Sequence, residues 1–279
     1  MKLLILGGNG MAGHVMVDYF RRLGKHHVFH TTRDKSDPGG LYVDANDIAG
    51  IEKLIEIVSP HCIINAMGVL NQFAERDALG AYHVNGFLPH YLRRCADAIH
   101  ARLIHISTDC VFEGTRGGYT EEDVPDGTSV YAITKRLGEV REPGHLTIRT
   151  SIIGPEIRQG GIGLMEWFLA QKGQVSGYRR VMWNGVTTLQ LAKAVDDMLE
   201  STVSGLIHLA HPQPLSKYEL LQHIQTAFHK ENVELVSEED HIQDRTLVST
   251  RTDVNFGFPS YPEMLAELAD WMKRSVMST

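Results

Sequence analysis

A tyrosine and a lysine four residues apart carry the clearest chemical signal in this 279-residue sequence. Tyr131 and Lys135 lie in a stretch of helical periodicity (residues 131–140), so their side chains share one face of the predicted helix. An ammonium group beside a phenol lowers the phenol pKa from about 10, and a phenol of that acidity can exchange a proton with a carbonyl oxygen. Ser107 and Thr108 end a predicted strand and offer hydroxyl groups to the same substrate oxygen, although both also suit a turn or helix cap. We predict Tyr131, Lys135 and Thr108 as catalytic residues and Ser107 as a substrate contact.

A glycine-rich stretch near the N-terminus offers a site for a dinucleotide. Gly8-x-Gly10-x-x-Gly13, overlapped by Gly7-x-x-Gly10-x-x-Gly13, stands where an apolar strand passes into a predicted helix that starts near Met11. Glycines let phosphate groups approach main-chain N–H groups, and the helix N-terminus adds partial positive charge. The pattern predicts pyrophosphate binding at Gly7, Gly10, Met11 and Gly13, with a ligand-free turn as the alternative.

The residues after the next two predicted strands bear on which dinucleotide binds. Arg33 stands twenty residues past Gly13, where a carboxylate would favour NAD and an arginine suits the 2′-phosphate of NADP. Thr32 adds a hydroxyl group, and Asp44 is placed to reach the adenine, although a turn-forming aspartate fits equally well. The sequence predicts NADPH as cofactor, with NADH as the alternative. Lys135 can also hold the nicotinamide ribose, with Tyr131 beside the nicotinamide.

The elements that must position these residues alternate between strand and helix. The apolar patterns predict strands at 3–6, 28–32, 41–43, 62–65, 103–107 and 146–149, and helices at 11–23, 48–58, 79–99 and 131–140. This alternation predicts an α/β fold with a doubly wound parallel (Rossmann) sheet, whose carboxyl edge would collect the candidate residues. Past residue 154 the alternation loosens. We predict a dinucleotide-binding domain over 1–154 and a smaller, mostly substrate-binding region over 155–279, with about 186–210 packing back on the first domain.

Composition narrows the functional classes. The net charge of −7 and pI of about 6.1 disfavour a nucleic-acid partner. No apolar run approaches the roughly 18 residues of a membrane span, and the N-terminal run lacks the length and flanks of a secretion signal. Three cysteines without C-x-x-C spacing and histidines without an H-E-x-x-H pattern predict neither disulfides nor a metal site. We expect a cytoplasmic protein without membrane or metal.

Several ordered motifs resemble the extended short-chain dehydrogenase/reductase superfamily, and within it the dTDP-4-dehydrorhamnose reductase-like branch. The resemblance covers residues 1 to about 154 and rests on the glycine loop and the segments 65–68 (NAMG), 84–86 (VNG), 107–114 (STDCVFEG), 119–123 (YTEED), 131–139 and 149–151 (RTS). It implies that Thr108, Tyr131 and Lys135 are catalytic. It also implies that Ala66 and Gly68 line the nicotinamide side of the cofactor pocket and that Asn85 holds the substrate-site scaffold. The implied partner is a nucleotide-linked 4-keto-6-deoxy sugar, reduced at C4 for surface polysaccharide precursors.

The second half departs from that pattern. Residues 183–188 read WNGVTT where the resemblance would have an aspartate-glutamine-glycine-proline-threonine segment, and Cys110 replaces a tyrosine. The nucleotide, dTDP or UDP, therefore stays open. Arg179 is a candidate for the diphosphate or belongs to an exposed turn, and Trp183 either stacks on the base or sugar or packs in the core.

Two other functions fit the same fold. One is an epimerase or dehydratase of nucleotide sugars, against which Arg33 argues because a recycled cofactor is more often NAD. The other is a regulatory subunit that binds NADP without catalysis. The number of subunits also stays open, with a homodimer among the alternatives.

Overall fold

The structure, a computed structural model, describes residues 1–157 and 161–276. The first half contains β1 (Lys2–Leu6), α1 (Met11–Leu23), β2 (His27–Thr32), β3 (Leu41–Tyr42), α2 (Ile48–Val58), β4 (Cys62–Asn65), α3 (Asn71–Arg76), α4 (Ala78–Ala81), a π-helical segment (Tyr82–Phe87), α5 (Leu88–Ala98), β5 (Arg102–Thr108), a 3-10 turn (Asp109–Val111), α6 (Val130–Leu137) and β6 (Leu146–Thr150). The second half contains β7 (Ile152–Ile153), α7 (Leu164–Ala170), β8 (Gly173–Tyr178), β9 (Val181–Trp183), β10 (Val186–Thr187), α8 (Thr188–Leu199), β11 (Gly205–Leu209), β12 (Leu215–Ser216), α9 (Lys217–Ala227), β13 (Val233–Glu238), β14 (Gln243–Asp244) and α10 (Tyr261–Val276).

Across the described ranges a seven-stranded sheet runs in the order β11-β6-β5-β4-β1-β2-β3. Every neighbouring pair in it is parallel. The predicted doubly wound parallel sheet is therefore confirmed. The chain leaves β1 toward β2 on one side and later returns to β4 on the other, so the strand order reverses between β1 and β4. Ligands of open α/β sheets bind at the carboxyl ends of the strands beside such a reversal.

Successive side chains of β1 point to opposite faces of the sheet and pack into two separate hydrophobic cores. Leu3 and Ile5 face a core that contains side chains of α1, α8, α9 and α10. Leu4 and Leu6 face the opposite core, which contains side chains of α2 and α5. All four side chains are fully buried. A strand covered on both faces reads as an unbroken apolar run, which is why it was visible in the sequence.

The second half of the chain returns to this sheet before building smaller ones. β11 pairs with β6 at the sheet edge, and α8 packs against α1. The remaining strands form β10-β7, β12-β9-β14 and β13-β8 pairings. Glu121 joins the two halves because its carboxylate accepts hydrogen bonds from the His208 N–H at 2.9 Å and from the Thr250 N–H at 2.9 Å.

The helix predicted over 79–99 is present as one continuous helical run over residues 78–98. It consists of α4, the π-helical segment and α5 in succession. Within the described part of the chain, each helix is too short or too polar to cross a membrane.

Candidate active site

Two of the predicted catalytic residues meet at the carboxyl end of β5. Thr108 is the last residue of that strand, and Tyr131 lies in the first turn of α6, which Ser129 caps by accepting the Ala132 N–H at 3.1 Å. The Thr108 hydroxyl acts on the Tyr131 phenol as a hydrogen-bonding group, and it donates to the Asp109 Oδ1 atom at 3.1 Å. Each side chain is 8% exposed. The structure thus pairs a phenol with a hydroxyl in a largely dehydrated place.

The electrostatic environment of Tyr131 differs from the prediction. Burial raises the pKa of Tyr131 above its ordinary value of 10, Cys110 and Asp109 raise it further, and the Thr108 hydroxyl opposes the rise. We predicted a lowered pKa because of the lysine one helical turn away. That prediction is wrong for this arrangement, since the Lys135 Nζ lies against the sheet and is not among the groups that act on the phenol.

The side chain of Lys135 extends from α6 to the backbone of β5, where it is buried. Its Nζ donates to the Ile106 carbonyl oxygen at 2.7 Å and lies 3.4 Å from the Nε2 atom of His105. Burial lowers the pKa of Lys135 to about 8, with Glu139 acting in the opposite direction. Burial, with Lys135 and His90 next, also lowers the pKa of His105 well below its ordinary value. Because its pKa stays above neutrality, Lys135 is mainly a buried, poorly solvated ammonium group at neutral pH.

The glycine loop is shaped by close backbone approach. Gly7 has a φ of +81°, and a Cβ atom there would come within 3.0 Å of the Met67 backbone nitrogen. A Cβ atom at Gly13 would lie only 2.1 Å from the Gly7 carbonyl oxygen. Gly10 is the N-cap of α1 and has no side chain with which to occupy the first-turn N–H groups, so these remain for a ligand. Met11 begins the helix. The loop thus fits a pyrophosphate.

The other predicted cofactor residues surround that loop. Ala66 and Gly68 follow β4, and Ala66 packs against Gly7. Thr32 is buried, and its Oγ1 accepts the Asn9 amide at 2.9 Å, which ties the glycine loop to the end of β2. Arg33 follows β2 with an exposed side chain.

Asp44 has the turn-forming role that the sequence left open. Its Oδ1 atom accepts the Asn46 backbone N–H at 2.9 Å and the Asn46 side-chain amide at 3.0 Å. The side chain is exposed just before α2.

Two predicted substrate contacts are scaffold residues in the structure. The Asn85 side chain is fully buried, accepts the Val69 N–H at 2.8 Å, and donates to the Val69 carbonyl at 2.9 Å and the Thr134 hydroxyl at 3.1 Å. These bonds use both amide hydrogens, so none remains for a ligand. The Ser107 hydroxyl donates to Glu139 at 3.0 Å, away from the phenol.

Glu139 in turn belongs to a buried ion pair. The fully buried Arg149 donates to its two carboxylate oxygens at 2.6 and 2.7 Å. Breaking such a pair by removing one partner leaves an uncompensated buried charge, so Ser107 is anchored to a rigid part of the core.

For the remaining two substrate candidates, the structure agrees with the alternatives that involve no ligand. The Trp183 side chain is 3% exposed, and its indole N–H donates to the Ser151 hydroxyl at 2.9 Å, so it packs in the core. The Arg179 side chain is exposed, and its guanidinium stacks 4.4 Å above the ring of Tyr218 in the first turn of α9. The exposed-turn alternative is therefore what the structure shows for Arg179.

Two cations that were not predicted from the sequence lie near Cys110 and Asp109, two of the groups that act on the phenol. Arg245 donates from Nη1 to the Cys110 sulfur at 3.6 Å. The Lys217 ammonium lies 5.2 Å from the centre of the Trp183 ring and interacts electrostatically with Asp109 and Cys110. The only sequence signal was S-x-x-E at Ser216, which forms a capping box and marks where α9 starts, not where Lys217 points.

No group of three or more histidine, cysteine, aspartate or glutamate side chains is arranged to hold a metal ion in residues 1–157 and 161–276.

Comparison with known proteins identifies the family to which this chain is related. The sequence matches the RmlD substrate binding domain family over residues 1–247. Methionine adenosyltransferase 2 subunit beta of Rattus norvegicus is 27% identical over 248 residues, which cover 81% of this chain and 72% of that protein. dTDP-4-dehydrorhamnose reductase of Mycobacterium tuberculosis is 28% identical over 235 residues, which cover 78% of this chain and 72% of that protein.

Among solved structures, dTDP-4-dehydrorhamnose reductase of Bacillus anthracis in complex with NADP has a TM-score of 0.81 at 17% identity, over 98% of this chain and 99% of that one. At that identity the likeness supports the fold. The family match covers far more than half of the sequence and confirms the resemblance to the dTDP-4-dehydrorhamnose reductase-like branch. The chain belongs to the RmlD substrate binding domain family.

Proposed function

We propose that this protein is a cytoplasmic, NADPH-dependent reductase of the C4 keto group of a nucleotide-linked 4-keto-6-deoxy sugar. The observation that carries the proposal is the Thr108–Tyr131 pair at the carboxyl end of β5, on the same sheet edge as the glycine loop. Two relatives support it: the Mycobacterium tuberculosis protein is named a dTDP-4-dehydrorhamnose reductase, and the Bacillus anthracis one was solved with NADP. We assign residues 1–154 to dinucleotide binding and most of 155–279 to the substrate.

The residues of the chain divide the work of reduction. NADPH, when bound, supplies the hydride that the carbonyl carbon receives. Because burial keeps the Tyr131 pKa high, its phenol stays protonated at neutral pH and can give that proton to the carbonyl oxygen as negative charge develops there. The Thr108 hydroxyl hydrogen-bonds the same oxygen. In this assignment Lys135 holds the nicotinamide ribose.

Cofactor choice follows from Arg33 in our proposal. An exposed guanidinium directly after β2 matches the 2′-phosphate that distinguishes NADPH from NADH. The products would be precursors of surface polysaccharide.

A regulatory subunit is the second candidate function. The relative in Rattus norvegicus is named as a subunit of methionine adenosyltransferase, which suggests that chains of this family also serve inside other enzymes. The paired Thr108 and Tyr131 favour catalysis here, because a purely structural subunit has no need of a buried phenol beside a hydroxyl.

Turnover with defined sugars separates the two functions. The purified protein would be given NADPH and either dTDP-4-dehydrorhamnose or its UDP counterpart, and NADPH oxidation would be followed by absorbance. We expect oxidation with one of these sugars and none without a sugar. Tight NADPH binding with no oxidation in the presence of either sugar would favour the regulatory subunit.

A further inference from the structure

Two cationic side chains from distant parts of the second half lie near Cys110, a residue that also acts on the candidate catalytic tyrosine. Lys217 is the first residue of α9, and Arg245 directly follows β14. Both lie at Cys110, which the Arg245 guanidinium contacts at 3.6 Å and which, with Asp109, acts electrostatically on Lys217. Cys110 also acts on the Tyr131 phenol. The cations therefore border the place where a substrate carbonyl would be reduced.

The position of Arg245 is fixed by its neighbours. β14 pairs with β9, and the Asp244 N–H donates to the Gly114 carbonyl at 2.8 Å. Gly114 has a φ of +88°, and a Cβ atom there would come 2.8 Å from the Arg245 Cγ atom. The aliphatic part of the Arg245 side chain thus packs directly on the backbone of Gly114, and this packing directs the guanidinium toward Cys110.

The position of Lys217 is fixed in a different way. The Ser216 hydroxyl accepts the Glu219 N–H at 3.2 Å, and the Glu219 carboxylate accepts the Ser216 N–H at 2.8 Å. This capping box sets the first turn of α9 and holds the lysine stem over the Trp183 ring. The buried Trp183 ring therefore packs beneath the Lys217 ammonium group and limits where it can move.

The local charge is not balanced by the protein itself. Across the described part of the chain, no carboxylate forms an ion pair with Lys217 or Arg245, and the Arg245 Nε atom is buried without a hydrogen-bond partner. Asp109 contributes one negative charge against these two positive ones. Burial lowers the pKa of Lys217 to about 8, so its ammonium form is poorly solvated. An unpaired buried donor costs free energy that an anionic ligand would recover.

We propose that Lys217 and Arg245 bind the diphosphate of the nucleotide substrate. The proposal rests on the reductase function proposed above and adds the residues that hold the substrate. A guanidinium fork and an ammonium together match the several oxygens of a diphosphate, which also carries more charge than one carboxylate. The pair takes the role for which the sequence offered Arg179 as one candidate.

Binding of nucleoside diphosphates tests this directly. dTDP and UDP would each be titrated by calorimetry into protein saturated with NADP⁺, so that the glycine loop is already filled. We expect Lys217→Met and Arg245→Met each to weaken the binding of the preferred nucleotide by at least about tenfold. Lys217→Arg keeps the charge and should retain most of the affinity. Lys53→Met, a change at an exposed lysine of α2, should match the wild type.

Two further measurements make the result specific. Thymidine and uridine, which lack phosphate, should bind the wild type and both methionine variants alike. Affinity for the diphosphate should fall with added salt in the wild type and fall less in the variants. Thermal melting of each variant confirms that it is folded.

Wild-type affinity for the preferred nucleotide in both methionine variants would overturn the proposal, as would failure of both dTDP and UDP to bind the wild type. The reductase function fails separately. If nucleotide affinity depends on Lys217 and Arg245 but no keto sugar is reduced, the diphosphate site is supported and the proposed reductase activity is rejected.

Discussion

The Nζ atom of Lys135 lies 2.7 Å from the Ile106 carbonyl oxygen, inside the sheet. Behind it, the His105 Nδ1 atom lies 3.0 Å from the Asn65 amide nitrogen, and the Asn65 Oδ1 accepts the Met67 N–H at 3.2 Å. Because its Oδ1 is engaged by that N–H, Asn65 donates to Nδ1, and neutral His105 then carries its proton on Nε2. That N–H faces Lys135. The ammonium group of Lys135 therefore lies in a poorly solvated place, and burial is the main cause of its lowered pKa.

Replacing Lys135 with methionine is expected to stabilise the protein at neutral pH. Burial lowers the lysine pKa from 10.5 to about 8, so the folded protein binds fewer protons than the unfolded chain between these values. Stability of the wild type therefore rises with pH across this window, and below it the folded state bears the full cost of the buried charge. Lys135→Met should raise the free energy of unfolding by about 1 kcal/mol at pH 7, after the lost bond to Ile106 is counted.

Urea denaturation at pH 7 and at pH 9.5 would measure this difference. The advantage of Lys135→Met should shrink at the higher pH, whereas Lys53→Met should show no such trend. A Lys135→Met protein that is less stable than the wild type at pH 7 would contradict the assignment of a buried, costly charge.

Much of the central sheet was predictable because its signals are local. The predicted bounds of α1, α2 and β4 agree with the structure, since each is an apolar pattern ended by glycine, proline or a polar residue. The helix over 79–99 was also predictable, but its π-helical segment was not, because periodicity does not distinguish i→i+4 from i→i+5 bonding. The two-residue strands β7, β10, β12 and β14 left no pattern, since distant pairing alone creates them.

The residues of the candidate site also differ in how far they could be predicted from the sequence. Thr108 and Tyr131 could be brought together from the sequence because both lie on elements of the predicted sheet unit. Arg245 could not, since its contact Cys110 is 135 residues away and no periodic pattern marks the loop that carries it. The sequence also gave no sign that the Lys135 amine turns toward β5, because a spacing of four fixes the helix face and not the rotamer.

Removing the Tyr131 hydroxyl should stop turnover without disturbing the cofactor. Tyr131→Phe keeps the ring that packs at the end of β5 and deletes the proposed proton donor. We expect kcat to fall by about 10²-fold or more, with NADPH affinity unchanged. Steady-state kinetics and NADPH fluorescence titration measure the two quantities. Tyr82→Phe, which alters an exposed tyrosine, is the matched control. An unchanged kcat in Tyr131→Phe would remove the phenol from the mechanism.

Reversing the charge at Arg33 should change the preferred cofactor. A carboxylate directly after β2 repels the 2′-phosphate of NADPH and can accept hydrogen bonds from the ribose hydroxyls of NADH. We expect Arg33→Asp to lower the NADPH-to-NADH ratio of kcat/KM by roughly tenfold or more. Arg94→Asp makes the same charge change on the exposed face of α5 and should leave the ratio as it is. Equal ratios in Arg33→Asp and the wild type would show that the 2′-phosphate is read elsewhere.

Adding a single methyl group at Gly13 should close the dinucleotide site. A Cβ atom there would lie 2.1 Å from the Gly7 carbonyl oxygen and 2.8 Å from the Gly7 carbonyl carbon, both of them backbone atoms that no rotamer change can move. We expect Gly13→Ala to cost about 1–3 kcal/mol of stability, as overpacking does. We also expect it to weaken NADPH binding at least tenfold, because relief of the clash displaces the loop.

The same change at Gly257 is the control, since a Cβ atom there meets nothing within 4 Å. Gly257→Ala should bind NADPH and melt as the wild type does. Thermal melts measure the loss of stability. NADPH titration at a temperature where both variants are folded measures the loss of affinity. Wild-type affinity for NADPH in Gly13→Ala would mean that the turn between β1 and α1 does not hold the pyrophosphate, because the substitution cannot be accepted without moving that turn.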